Sequence, residues 1–197
     1  MLEGIDASGT TTQCEALGRA LEKRGHTVLR TFEPTGGTIG QQIRTWLGAD
    51  VDSPGPQALA LLFAADRLEH LRREIIPALE DGQVVICDRY IWSSFAYQGL
   101  DCEPEWLRQL NSRALVPNLA LWLEIPVEIA LARCATRVAR GDAPPEKFDA
   151  AELQHRLHGA YGAFAADPAD PLQTVDGTQS VEAVTSALLE HCVALGL

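Results

Sequence analysis

Gly4-Ile5-Asp6-Ala7-Ser8-Gly9-Thr10-Thr11, close to the amino end of the chain, is the stretch that decides the fold. It fits the phosphate-binding loop pattern GxxxxGK(S/T) at every position except the lysine, which Thr10 replaces. In such a loop the glycines let backbone N–H groups face phosphate oxygens, and the next helix adds its positive N-terminal end. Thr11 occupies the position of the Mg²⁺-binding hydroxyl. Taken alone, the segment also fits a glycine-rich strand-to-helix turn without a ligand.

Short apolar runs alternate along the chain with longer segments of helical periodicity, which predicts an α/β domain with a parallel sheet. Strands are predicted at His26–Thr31, Gln83–Asp88, Leu119–Ile125 and Leu172–Asp176. Helices are predicted near Thr11–Arg24, Gln57–Glu80, Glu103–Ala114, Val127–Arg140 and Val181–Leu195, and around Gly40 and Arg44. Only Met1–Glu3 precede the loop, so the first strand is either very short or truncated. The length fits a single domain over residues 1–197.

Composition excludes several classes of protein. The net charge of −11 argues against non-specific nucleic-acid binding, although a locally basic site can still hold a phosphorylated small molecule. No apolar run approaches the roughly 20 residues of a membrane helix, and no signal peptide is visible. The five cysteines are scattered without a CxxC pair, which predicts reduced thiols in the cytoplasm.

Further segments place charged and aromatic residues at the ends of predicted elements. Phe32–Gly37 leaves a strand through an acidic, Pro- and Gly-containing loop, and Phe63 and Arg67 fall at i and i+4 on one helix face. Asp88-Arg89-Tyr90 follows the most apolar strand, at the edge where open α/β sheets bind ligands. Ser93–Gly99 (Ser-Ser-Phe-Ala-Tyr-Gln-Gly) comes directly after. Taken singly, each also fits a core aromatic, a solvated arginine or an ion pair at a strand end.

In this order the motifs resemble the thymidylate kinase family over nearly the whole chain. That family combines a P-loop, a Glu-Pro-Gly-Gly-type loop, an aromatic-x-x-x-Arg helix, Asp-Arg-Tyr, Ser-Ser-x-Ala-Tyr-Gln-Gly and an Arg-rich lid. The resemblance implies a three-layer αβα P-loop NTPase fold with a central five-stranded parallel sheet, the phosphate loop at residues 4–11 and a helical lid at about residues 133–149. It also implies ATP and Mg²⁺ as cofactors, dTMP as acceptor and a homodimer, with no nucleic-acid or membrane partner.

The resemblance further implies roles for residues that bind the acceptor. Phe63 would stack on the pyrimidine, Arg67 would donate to a base carbonyl and Gln98 would contact the base edge. Arg44 and Arg89 would clamp the acceptor phosphate, a task suited to guanidinium geometry. The remaining acceptor contacts are Asp6 at the sugar 3′-hydroxyl, Tyr97 near the 2′ position, and Glu33, Pro34 and Ser93.

On the donor side, the resemblance assigns ATP binding to Gly4, Ala7, Ser8, Gly9, Thr10, Thr11, Thr12 and Asp176. Mg²⁺ would be held by Thr11 and Asp88. Family members carry a catalytic arginine in the P-loop or in the lid; because the P-loop position is Ala7, the lid version is implied, with Arg137 and Arg140 as candidates. Lys147 corresponds to a further lid arginine. The implied catalytic set is Asp88, Arg89, Arg137, Arg140 and Lys147.

Three functional hypotheses follow. The first is a dTMP kinase of dTTP biosynthesis, converting ATP and dTMP to ADP and dTDP. The second is a kinase for another pyrimidine monophosphate, because Phe32 occupies a position where the family usually has arginine. The third is a kinase-fold protein that binds nucleotide with weak or no turnover, because the P-loop lysine is missing. The intact Asp88-Arg89 pair and the lid arginines oppose the third.

Overall fold

The structure, a computed structural model, describes residues 1–48, 52, 54–141 and 150–197. Its centre is an all-parallel sheet of five strands in the order β2-β3-β1-β4-β5. The strands span Leu2–Glu3 (β1), Val28–Phe32 (β2), Val84–Asp88 (β3), Ala120–Glu124 (β4) and Leu172–Asp176 (β5). The parallel α/β fold and the four longer strands are therefore confirmed.

The helices span Thr10–Lys23 (α1), Thr38–Leu47 (α2), Pro56–His70 (α3), Ile76–Glu80 (α4), Ile91–Tyr97 (α5), Pro104–Leu110 (α6), Val127–Ala139 (α7), Ala151–Ala166 (α8) and Val181–Ala194 (α9). A π-helical turn joins α3 to α4, so the helix predicted over Gln57–Glu80 is confirmed as one continuous run. The helix predicted to reach Ala114 was too long. It ends at Leu110, and the Asn111 side chain beyond it donates to the Leu107 carbonyl. Helices α5 and α8 were not predicted.

The side chains of β4 show why helices cover both faces of the sheet. Leu121 and Leu123 pack with residues of α1 and α9 in one core, while Ala120 and Trp122 pack with α5, α7 and α8 in another. Successive strand residues point to opposite faces, so an unbroken apolar strand requires a helical layer on each side. The three-layer arrangement predicted from the sequence is thus confirmed.

Because all five strands are parallel, their carboxyl ends lie along one edge of the sheet. The phosphate loop follows β1 at this edge, Glu33 and Pro34 follow β2, and Arg89 follows β3. Within the described residues, no helix is long and apolar enough to cross a membrane.

Candidate active site

A cavity of about 1560 Å³ opens at the carboxyl edge of the sheet. Most residues implicated by the sequence line it, although they come from separate elements. Those that do are Asp6, Ala7, Ser8, Gly9, Thr10, Thr11, Thr12, Glu33, Pro34, Arg44, Phe63, Arg67, Asp88, Arg89, Ser93, Tyr97, Gln98 and Arg137.

Four implicated residues do not line this cavity or cannot be placed. Gly4 begins the loop at a tightly packed position, where an added Cβ would clash with Ser8 Oγ. Asp176 accepts from the backbone N–H and hydroxyl of Thr178 and shapes the turn after β5, whose neighbour Gly177 does line the cavity. Arg140 lines only a smaller cavity of about 510 Å³ along α7. Lys147 lies outside the described residues.

The phosphate loop has the backbone expected of an anion cradle but carries no cation of its own. Ala7 and Gly9 adopt positive φ values of 58° and 104°, and α1 begins at Thr10. Positive φ is uncommon for a residue with a side chain, so the loop holds the Ala7 backbone in an unusual conformation. From α7, Arg133 donates to the Ala7 and Ser8 carbonyls at 3.2 and 3.3 Å. Arg133 was not singled out from the sequence.

Thr11, at the end of the phosphate loop, contacts Asp88 at the end of β3, and their oxygens are ligands that suit a hard cation. The Thr11 hydroxyl donates to Asp88 Oδ2, while Asp88 Oδ1 is buried and has no partner among the described residues. A buried carboxylate oxygen without a partner is costly unless a ligand satisfies it. The described residues contain no cluster of three or more His, Cys, Asp or Glu side chains suited to a metal. This donor set fits Mg²⁺, which takes one or two protein ligands and completes its shell with phosphates and water.

Arg89 is held in place at the start of α5 by a network of hydrogen bonds. Its Nη2 donates to Asp6 Oδ1 at 2.6 Å, and its Nη1 donates to the Gly4 carbonyl at 2.9 Å and to Tyr97 Oη at 3.1 Å. The Tyr97 hydroxyl donates to Asp6 Oδ1 at 3.0 Å, and burial raises its pKa, so it remains a donor. Arg89 has a positive φ of 67°, a conformation that clusters at functional sites. Arg89 therefore pairs with Asp6, and the alternative of an Asp88–Arg89 ion pair is wrong.

Gln154 and Glu3 also join this network, and neither was predicted from the sequence to do so. Gln154 of α8, which is fully buried, donates from Nε2 to Asp6 Oδ2 at 2.9 Å. Glu3 of β1 accepts from the Tyr90 backbone N–H at 2.8 Å and from the Ser93 hydroxyl at 2.6 Å. Burial raises the pKa of Glu3, against the opposing effect of these hydrogen bonds. No motif marks Gln154, because the contact depends on how α8 packs.

Arg67 is a buried centre of contacts rather than an exposed helix charge. Only 1% of it is exposed, so the alternative of a solvated arginine beside Glu69 is wrong. Its Nε donates to Glu33 Oε2 at 2.9 Å, and its remaining partners are the Asn111 amide oxygen, the Tyr90 carbonyl and the Ser94 hydroxyl. These contacts use four of its five N–H groups, which leaves one on Nη1 for a ligand.

Phe63 of α3 and Gln98, which follows α5, both line the cavity. Phe63 is half-buried and belongs to none of the buried hydrophobic clusters found among the described residues. Gln98 is 7% exposed, and its Oε1 is buried and unpartnered in the described part of the chain. An aromatic ring outside those clusters and an unsatisfied amide oxygen in one cavity suit a planar ligand with polar edges.

Of the two candidate catalytic arginines, Arg137 and Arg140, Arg137 lines the main cavity. It lines that cavity from the last turn of α7, and its Nε is buried without a partner in the described residues. Arg140 follows the end of α7 and is exposed. An arginine at a phosphate site can offset charge during phosphoryl transfer. Of the two candidates, Arg137 has the placement for that task in this structure.

Comparison with known proteins gives one consistent result. The family model described as "Thymidylate kinase" matches residues 2–188. A probable thymidylate kinase of Pyrococcus horikoshii is 48% identical over 144 residues, covering 70% of this chain and 69% of the relative. The thymidylate kinase of Thermomicrobium roseum is 39% identical over 193 residues, covering 94% of this chain and 90% of the relative. That of Pelobacter propionicus is 36% identical over 196 residues, covering 95% and 90%.

Proposed function

The chain belongs to the thymidylate kinase family, and from that premise we propose that it transfers the γ-phosphoryl group of ATP to dTMP, a step of dTTP biosynthesis. One observation carries the proposal: Phe63, which lies outside the buried hydrophobic clusters of the described residues, and Gln98, with an unsatisfied Oε1, share one cavity with the phosphate loop. A base pocket and a phosphate cradle in one cavity match a nucleotide acceptor beside a nucleotide donor. The first of the three functional hypotheses is therefore the one we adopt.

Acceptor binding rests on residues already held in place. Phe63 stacks on thymine, and Gln98 and the last N–H of Arg67 contact its polar edge. Arg44 and Arg89 bind the acceptor phosphate. Asp6 has the capacity to accept from the sugar 3′-hydroxyl, because its Oδ2 accepts from Gln154 Nε2 and a carboxylate oxygen can accept a second hydrogen bond. Pre-positioned donors lose little conformational entropy on binding, which favours affinity.

The transfer is a displacement at the γ-phosphorus of ATP. An oxygen of the dTMP phosphate attacks, the bond to the β,γ-bridging oxygen breaks, and ADP leaves with that electron pair. Thr11 and Asp88 would hold Mg²⁺, which would offset negative charge on the phosphates. Arg137 stabilises the equatorial oxygens, and the backbone of the loop holds the β-phosphate. Because Thr10 adds no charge, we expect transfer to be slower than in a loop that contains lysine.

We further propose that two copies pair through α3 and α4 and that the protein works in the cytoplasm. Leu61, Leu68, Ile76 and Leu79 are exposed along these helices and favour burial against a second copy. The five cysteines are free and buried, as suits a reducing compartment. Analytical sedimentation of the wild type and of Leu68→Glu tests the pairing. We expect the wild type to be a dimer and the variant to be a monomer. A monomeric wild type contradicts it.

Acceptor choice is tested by coupled ADP release with dTMP, dUMP, dCMP and UMP. We expect dTMP to have the highest kcat/KM and UMP the lowest, because Tyr97 lies near the 2′ position of the sugar. Gln98→Ala should lower kcat/KM for dTMP by about tenfold or more, since the variant loses a buried contact to the base. Gln109→Ala on α6, where the amide is exposed, is the matched control and should change nothing. A different best acceptor contradicts the proposal.

A further inference from the structure

Phe32 forms a contact with Arg44 at the rim of the cavity. It is the last residue of β2, lies in register with Asp88 of β3 and is 47% exposed. Its ring lines the cavity, and Arg44 Cζ lies 5.1 Å from the ring centroid. The ring belongs to none of the buried hydrophobic clusters of the described residues, so core packing does not account for its place.

Arg44 would otherwise be a poorly fixed side chain. It projects from α2 and is exposed, and it has no carboxylate partner among the described residues. Its other contact is a hydrogen bond from Nη2 to the Pro34 carbonyl. An exposed arginine held by one neutral hydrogen bond loses much side-chain entropy when it binds a ligand. A second contact, on the face of the guanidinium, restricts that motion before the ligand arrives.

We propose that Phe32 is a positioning residue: its ring holds the Arg44 guanidinium ready for the acceptor phosphate. The inference rests on the proposed function, in which Arg44 binds that phosphate. The proposal also gives Phe32 a role at a position where the family usually has arginine. A second cation 5.1 Å from Arg44 would repel it, whereas a ring attracts it.

The test compares binding of dTMP and of thymidine, which lacks the phosphate, by calorimetry. Phe32→Leu should weaken dTMP binding about two- to fivefold, the fold-change expected of an exposed cation–π contact, and leave thymidine binding unchanged. Phe32→Tyr keeps the ring and should restore the affinity for dTMP. In an Arg44→Met background, Phe32→Leu should have no further effect on dTMP, because the ring acts through Arg44.

A second readout needs no substrate. The Arg44 Hε resonance should carry a ring-current shift in the wild type and in Phe32→Tyr, and lose it in Phe32→Leu. The inference is overturned if Phe32→Leu weakens thymidine and dTMP equally, if its effect persists in the Arg44→Met background, or if the Hε shift is absent. If the wild type binds neither ligand, the proposed function fails, and the Hε shift alone then decides whether the ring holds Arg44.

Discussion

Replacing Arg67 with methionine should destabilise the protein far more than removing an exposed arginine. The side chain of Glu33 is only 4% exposed, and its Oε2 accepts a hydrogen bond from Arg67 Nε at 2.9 Å and lies 2.9 Å from Arg67 Nη2. Removing one partner of a buried ion pair costs about 3–5 kcal/mol, because the other charge stays buried without compensation. In the described part of the chain, His70 Nδ1, 3.0 Å from Glu33 Oε1, remains as a side-chain partner of Glu33.

Thermal unfolding measures the effect. For a domain of this size, 1 kcal/mol corresponds to about 2–4 °C, so we expect Arg67→Met to lower Tm by about 6–20 °C. Arg73→Met is the matched control, because Arg73 pairs with Glu69 on the exposed face of the same helical run and should shift Tm by no more than about 2 °C.

A double variant separates loss of the ion pair from loss of packing. Adding Glu33→Gln to Arg67→Met removes the stranded charge and should recover about 1–3 kcal/mol of the loss, as expected of residues in direct contact. The reasoning is refuted if Arg67→Met lowers Tm no more than Arg73→Met, or if Glu33→Gln makes the Arg67→Met variant still less stable.

Three further predictions concern charge at the site. Asp88→Asn should lower kcat about a hundredfold or more and raise the Mg²⁺ concentration needed for half-maximal rate; an unchanged Mg²⁺ titration contradicts it. Arg137→Met should lower kcat about a hundredfold and Arg140→Met less than about threefold, measured with saturating dTMP; equal losses contradict the assignment to Arg137. Because burial raises the pKa of Glu3 above 4.5, its protonated form stabilises the fold at low pH, and this contribution is lost as pH rises. Urea unfolding should therefore favour Glu3→Gln over the wild type increasingly above pH 4.5, and a pH-independent difference contradicts that.

The sheet was predictable because its strands are short apolar runs bounded by Gly, Pro or charge. The predicted bounds of the last strand, Leu172–Asp176, are the bounds that β5 has in the structure. Helix α5 was missed because its seven residues are too few to show a helical period. Helix α8 was missed because Gly159 and Gly162 interrupt its apolar pattern and because a polar residue, Gln154, is one of its buried side chains.

The site was predictable where a motif carries its own chemistry and less so where packing decides. Phe63 and Gln98 line the cavity together with the phosphate loop, and their contacts with a base stay predictions. The family resemblance implies that Arg67 donates to a base carbonyl. In the structure, four of its N–H groups bind the protein, through partners such as Asn111 and Ser94 that no local pattern connects to it. The contact between Phe32 and Arg44 joins two elements and likewise has no signature in sequence spacing.

The measurement that tests the central claim most directly is ³¹P NMR of the products formed from ATP and dTMP, by the wild type beside Thr10→Lys. We predict that the wild type forms one dTDP for each ADP, and that Thr10→Lys raises kcat by about ten- to a hundredfold, because one phosphate contact is worth a few kcal/mol. If both proteins bind dTMP and neither forms dTDP, or if ADP appears without dTDP, this chain does not phosphorylate dTMP.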